Sequence, residues 1–252
     1  MEIIEIESAG STNSWLAERA RPDFPDCLVF AREQTAGRGQ RGNSWEAEPG
    51  MNLTASMLLH PEGIEPTRQF AISEAVALAV VDLLSELGVE GKVKWPNDIY
   101  VGERKICGIL IEHAIMGRAI LHTIAGVGIN VNQMIFRSDA PNPVSLRQLT
   151  GRDYDIGQLA GRLATLTRQA LATAEHEPEA LHSRFMAKLW RGDGKRYPFH
   201  DKIRGERFMG RVHSIAPEGT LAVEDEWGGL RAYAFKEVEF VLDNEILKAQ
   251  TT

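Results

Sequence analysis

The chain has 252 residues, a net charge of −7, a sequence pI of about 5.6 and 43% hydrophobic residues. That length suits one large domain with at most a small satellite, and the composition is that of a globular protein with a real core. The acidic balance excludes the broad basic footprint of a nucleic-acid binder. No apolar run approaches a membrane span, and the start MEIIEIESAG has acids where a secretory signal needs cations. Cys27 and Cys107 sit in apolar runs and read as buried thiols of a reducing compartment, so a cytoplasmic location is expected.

Residues 3–6 predict a short strand. Ser11, Thr12 and Asn13 are small polar residues suited to capping a helix that runs to about Ala20, and on their own they say no more than that. Asp23 to Asp26 make a proline-bearing turn, and Cys27 to Ala31 predict the strand that feeds Arg32 to Trp45, REQTAGRGQRGNSW. Within this stretch Gly37, Gly39 and Gly42 alternate with Arg38 and Arg41; Gln34 precedes them and Trp45 closes the run. Glycines let backbone N–H groups approach a ligand. Arginines offer planar, permanently charged donors to carboxylate or phosphate, and the tryptophan offers a face to a nucleobase. The loop is therefore built for a small anionic ligand, with a flexible basic surface loop as the plain alternative. Gly37 to Gly42 spells GxGxxG, yet Asn43-Ser44-Trp45 and then Pro49-Gly50 do not open the apolar helix of a dinucleotide turn. The Gly-Lys-Ser/Thr of a phosphate-binding loop and the partner motifs of a kinase are both missing.

Asn52 to Leu59 predicts a second strand ended by Pro61. Pro66 suits a first helical turn, and Phe70, Ile72, Val76, Ala79, Val80, Leu83 and Leu87 recur at helical spacing up to a closing Gly88. This is expected to be a long amphipathic helix with one core-facing stripe. Val93 to Trp95 is strand-like, Pro96-Asn97-Asp98 breaks it, Ile99 to Val101 resumes, Gly102-Glu103 turns, and Arg104 to His113 runs on. Lys94, Asp98 and Lys105 interrupt this apolar segment, and charges so placed usually mark surface ends of strands. Ala119 to Ile124 continues into Ala125–Val131, where Gly126 and Gly128 permit close approach and Asn130 can present a donor and an acceptor; a bulged strand is the plain alternative. Asp139 to Val144 reads as a loop. Asp155 caps a helix to about Ala174, and Pro178 opens another to about Trp190. From Arg204 to Val241 short β segments separated by Pro217-Glu218-Gly219 and Gly228-Gly229 predict a small β-barrel, with a domain boundary near 192 to 198.

Four motifs stand in order: Ser11-Thr12-Asn13; Gln34 with Gly37-Arg38-Gly39; KWPND at 94–98 with Lys105-x-x-Gly108-Ile109-Leu110; and GVGIN at 126–130. Each is weak alone. In this order and spacing, over roughly residues 8–150, the chain resembles the biotin protein ligases (biotin–[acetyl-CoA-carboxylase] ligases). The resemblance implies an α+β fold: a mixed central β-sheet flanked by helices over residues 1–194, as in class II synthetase-like ligases, and an SH3-like β-barrel over 195–252. It implies that ATP and Mg²⁺ serve to activate biotin as biotinyl-5′-AMP, which then passes biotin to a lysine of a biotin carboxyl carrier protein. By the same likeness Ser11, Thr12, Asn13, Gln34, Arg38, Gly39, Gln40, Lys105 and Gly108 would hold biotin. Arg41, Trp45, Asn97, Lys105 and Asn130 would hold ATP or the adenylate. Lys105, Arg38 and Asp98 would carry the chemistry, Asp98 being the candidate metal carboxylate.

The chain departs from the family's G-R-G-R-x-G-R pattern, with Gln40 and Asn43 where arginines often stand. The first of those arginines is credited in the family with the biotin carboxylate and with restraining the adenylate; Arg41 is the residue that could take over by a small shift. Only ten residues precede Ser11, so the monofunctional type without a DNA-binding domain is expected, with no DNA or membrane partner. Family likeness alone implies a sheet-mediated homodimer. The alternatives are a lipoate or octanoate ligase of the same fold, which KWPND and the arginine-glycine loop disfavour, and a non-catalytic biotin or adenylate sensor.

Overall fold

The structure, a computed structural model, describes residues 1–21, 23–137 and 142–242, and the Arg41 side chain lies outside that set. Residues 139–141 of the expected Asp139–Val144 loop also lie outside it. The first sheet is built from β1 (Glu2–Ala9), β2 (Cys27–Gln34), β3 (Leu53–Leu59), β4 (Lys92–Lys94), β5 (Asp98–Val101), β6 (Arg104–Met116) and β7 (Ala119–Ile129). Its order is β1-β2-β3-β7-β6-β5-β4; β1 and β2 run parallel and every other neighbour is antiparallel.

Every residue of β3, LTASMLL, is buried, because helices cover both of its faces. On one side α2 (Phe70–Glu86), α4 (Ile156–His176) and α5 (Pro178–Ala187) close the large core, which includes Leu53, Ala55, Met57, Leu59, Leu78, Leu163 and Phe185. On the other, α1 (Thr12–Ala17) seats Leu16 on Cys27, Val29, Leu58 and Ile124. α2 departs from the expected single stripe. It is buried on nearly all sides, Glu74 included, and a helix apolar all round is one that other elements surround. Glu74 is accommodated by His182 of α5, whose Nδ1 lies 2.7 Å from Oε1. Gly88 follows the helix with φ +77°, which only glycine adopts without strain. A short α3 (Leu146–Thr150) was not anticipated, although Ser145 and Gln148 spell the capping box that starts it.

The glycines of β7 do not form a bulge. Gly126 and Gly128 pair regularly with Ser56 and Thr54 on one side and with Leu110 and Gly108 on the other. The missing side chains leave a hollow in an otherwise continuous sheet.

The second sheet holds β8 (Tyr197–Asp201), β9 (Glu206–Ile215), β10 (Leu221–Asp225), β11 (Leu230–Tyr233) and β12 (Val238–Phe240), all antiparallel, in the order β11-β10-β9-β8-β12. It begins at Tyr197, earlier than the Arg204 read from the sequence. Aromatic side chains from the β4–β5 turn and from the segment after α5 meet it: Trp95 Nε1 donates to the Gly219 carbonyl at 3.0 Å, and the Trp95–Phe235 and Trp190–Phe240 ring centroids are 5.3 and 5.5 Å apart. No helix among the described residues is long and apolar enough to cross a membrane.

Candidate active site

A cavity of about 840 Å³ opens on the α1 side of the first sheet, over the hollow in β6 and β7. Ser11 to Asn13, Gln34, Arg38 to Gln40, Trp45, Asn97, Asp98, Lys105, Gly108 and Asn130 all line it, so the described site residues expected from the sequence meet at one place.

One end is polar and rigid. Ser11 occupies the N-cap position of α1, yet its side chain makes no capping bond. Thr12 and Asn13 are spent on the sheet instead. Gln34 Oε1 accepts from Thr12 N at 2.7 Å and from Thr12 Oγ1 at 3.1 Å. The Ser56 hydroxyl lies 2.7 Å from Thr12 Oγ1 and donates to Asn13 Oδ1 at 2.5 Å. Asn13 Nδ2 donates to Glu112 Oε2 at 2.7 Å and to the Leu110 carbonyl at 3.3 Å. The Asn13 amide lies over Gly126, in the space where a β-carbon would stand. Buried polar groups are costly unless bonded, and a satisfied network fixes one geometry.

The other end is charged. Lys105 Nζ lies 2.7 Å from Asp98 Oδ1, and both side chains are largely buried, at 23% and 17% exposure. The surface-end reading of these charges therefore fails: Lys94, Asp98 and Lys105 all line the cavity. Lys94 makes no ion pair among the described residues; its ammonium sits 5.1 Å from the Tyr100 ring centroid and 5.8 Å from that of Phe240. Burial pushes its pKa down, and the Asp98 carboxylate opposes that shift. Asn97 is held in place by the β6 edge, donating from Nδ2 to the Ile109 carbonyl at 2.7 Å. The Cys107 thiol next to Gly108 is fully buried, and burial raises its pKa far above the ordinary value, so it is no nucleophile.

Between the two ends lies the glycine loop. It is better anchored than its composition suggests. Arg38 and Ser44 form an isolated bridge, Gly39 N donates to Asn43 O at 2.7 Å, and Trp45 N donates to Gly37 O at 3.0 Å. Arg38 is ion-paired to Glu112 at 2.7 Å. The Trp45 indole lies against Gly108 and Gly128, with Lys105 Nζ 5.5 Å from its ring centroid, and its Nε1 is buried without a partner among the described residues. Gln40 is half-buried at the loop tip, between this cavity and a smaller one of about 210 Å³.

Asn130 differs from the sequence expectation of a donor and an acceptor both free for a ligand. It is 3% exposed and its Nδ2 donates to the Val144 carbonyl at 3.1 Å and the Lys105 carbonyl at 3.5 Å. Three groups of contributors went unnoticed in the sequence. Thr54 and Ser56 alternate in an apolar strand, a period-2 signal for one polar face. Glu112 ends the apolar run ICGILI. Val238, Glu239 and Phe240 of β12, with Lys236 of the turn before it, close one wall, and no local signal marks them.

Residues 7–130 match the biotin/lipoate A/B protein ligase family. The chain is 34% identical to the bifunctional ligase/repressor BirA of Bacillus spizizenii over 243 residues, 92% of this chain and 72% of that protein. It is 33% identical to the biotin–[acetyl-CoA-carboxylase] ligase of Paracoccus denitrificans over 161 residues, 61% of this chain and 66% of that one. The solved biotin protein ligase of Aquifex aeolicus in complex with biotin and ATP superposes with a TM-score of 0.78 at 22% identity, covering 96% and 99% of the two chains, which establishes a shared fold.

Proposed function

The chain belongs to the biotin/lipoate A/B protein ligase family, and from that membership we propose that it is a biotin protein ligase acting on a biotin carboxyl carrier protein. The observation that carries the reading is the cavity itself: a fixed polar network at one end and the Lys105–Asp98 pair at the other, with the glycine loop between them.

Biotin would lie with its ureido ring against Ser11, Thr12, Asn13 and Gln34 and its carboxylate toward Lys105. A carboxylate oxygen attacks the α-phosphorus of ATP, the bond to the leaving pyrophosphate breaks, and biotinyl-5′-AMP forms. Two anions must meet in this step, so positioned cations do most of the work. Lys105 faces the carboxylate and α-phosphate, and Lys94 adds a second cation at the same end. Trp45 offers its indole to adenine, and Asn97 and Asn130 border that region. In the second step the ε-amine of a carrier lysine attacks the acyl carbon, AMP leaves, and Asp98 takes the proton released by the amine.

Mg²⁺ typically keeps one or two carboxylates and the substrate phosphates as ligands. Asp98, the cavity-wall carboxylate beside Lys105, could supply one such ligand, and the ion would neutralise charge on the triphosphate. The buried thiols of Cys27 and Cys107 suit a reducing, cytoplasmic setting. A homodimer is supported only by likeness to the family.

A lipoate or octanoate ligase is the second reading within the family. A lipoyl ring or an octanoyl chain carries no polar ureido group to face a cavity end lined by Ser11, Thr12, Asn13 and Gln34, and this polar end favours biotin. The test is pyrophosphate release with ATP, Mg²⁺ and either biotin, lipoate or octanoate, followed by labelling of a biotin carboxyl carrier domain. Biotin alone should support both steps; turnover with lipoate or octanoate instead would overturn the assignment, and no turnover with any of them would favour a sensor.

A further inference from the structure

Glu112 stands where the polar end of the cavity meets the glycine loop. It lies on β6 opposite Ile124 of β7. Its Oε2 accepts from Asn13 Nδ2 at 2.7 Å, and its Oε1 accepts from Arg38 Nη2 at 2.7 Å. Arg38 Nη1 adds weaker contacts to Oε2 at 3.5 Å and to Ser14 Oγ at 3.4 Å. One carboxylate thus joins the first turn of α1 to the loop. Arg38 is also the residue whose backbone bridges Ser44, next to Trp45. Fixing Arg38 therefore fixes both arms of the loop and the approach of the indole to Gly128.

We infer that Glu112 is a positioning residue that holds Asn13 and the glycine loop as one unit. Through Oε2 it keeps the Asn13 amide turned toward the ligand end of the cavity. Through Oε1 it gives Arg38 a partner when no anionic ligand is present. The corollary concerns Arg38. It acts chiefly through Glu112, and the two lysines, Lys105 and Lys94, are left as the cations of the reacting end. The pair is half-exposed, at 45% and 39% for the two side chains. Ion pairs in such settings add little to folding stability, so the role assigned here is geometric. The part that concerns catalysis rests on the ligase reading; the part that concerns the loop does not.

The experiment uses the full chain and four variants: Glu112→Ala, Glu112→Gln, Arg38→Ala and the double Arg38→Ala/Glu112→Ala. Hydrogen exchange without ligand is read at the Gly39 and Trp45 amides, which are bonded within the loop, with α4 as an internal control. Each alanine single should speed loop exchange about threefold, within the range of a half-exposed ion pair, and the double should be no faster than either single, as residues acting through one contact are non-additive. Unchanged loop exchange in Glu112→Ala overturns the proposal.

The second readout is pyrophosphate release. Glu112→Ala should raise the biotin KM about tenfold with kcat within about twofold, and Glu112→Gln, which keeps an acceptor for one of its two partners, should recover part of the loss. Losses that multiply in the double variant place Arg38 on the ligand independently of Glu112 and overturn the corollary. If the wild-type chain forms no adenylate from biotin, the ligase reading has failed, and the exchange arm still decides whether Glu112 pins the loop.

Discussion

The Trp45 indole occupies the space that a side chain at position 128 would fill: a β-carbon built on Gly128 would lie 2.5 Å from Trp45 Cε2. The glycine of GVGIN and the tryptophan that closes the glycine loop are thus two halves of one contact. We predict that Gly128→Ala displaces the indole. Overpacking of this kind costs about 1–3 kcal/mol, and adenylate formation should fall more than tenfold because the adenine face is lost. Thermal denaturation and pyrophosphate release measure the two effects; wild-type release from a folded variant would show that Trp45 is not used.

The same logic applies at the polar end. A β-carbon on Gly126 would collide with the Asn13 amide. Gly126→Ala should raise the KM for biotin while leaving the KM for ATP within about twofold, since only the ureido end is disturbed. Equal changes in both constants would show that the whole cavity had shifted.

Lys105→Ala should cut adenylate formation by at least a hundredfold, since a positioned cation facing developing phosphate charge is worth about 3 kcal/mol. The loss of stability should be smaller, although Asp98 is left without its partner. Near-normal pyrophosphate release would return Lys105 to the status of a strand-end charge.

Gln40 lacks the charge that the family's arginine would bring to the loop tip. We predict that Gln40→Arg slows loss of the adenylate to solvent, and that ligand binding lowers hydrogen exchange over residues 37–44 in both proteins. Adenylate release is followed after a single turnover without acceptor. Equal release rates would mean that Arg41 already fills the role.

Glu74 gives a pH-dependent prediction. Burial raises its pKa above 4.5 in the fold, and the bond to His182 only partly offsets the shift. A raised carboxyl pKa means that the stability tied to the protonated form is present below pH 4.5 and lost as pH rises through the folded value. Glu74→Gln keeps an acceptor for His182 and removes the buried charge, so its Tm should exceed wild type at pH 7 and converge with it near pH 4. A lower Tm at pH 7 would refute this account.

Much of the site was readable from residue types in order. Ser11 to Asn13, the glycine loop, Lys105 and Gly126 to Asn130 converge because glycines, charges and amides at those positions have few other uses in a sheet. What escaped notice depends on partners distant in sequence. Glu112 gains meaning only beside Asn13 and Arg38, and the buried Glu74 only beside His182. The all-round burial of α2 needed α4 and α5, and its own periodicity showed a single stripe. The loop's composition promised little anchorage, whereas the Arg38 ion pair and the seat of Trp45 on two glycines provide it.

The cavity wall formed by residues 236–240 ties the site to the order in which the chain is made. A nascent chain emerging from the ribosome possesses Lys94, Asp98 and Lys105 long before it possesses Phe240, the second aromatic ring over the Lys94 ammonium. Until β12 pairs with β8, the charged end stands open to water on that side. An acyl phosphate is open to hydrolysis wherever water reaches it, so the wall that shields this end is made after the charges that it covers.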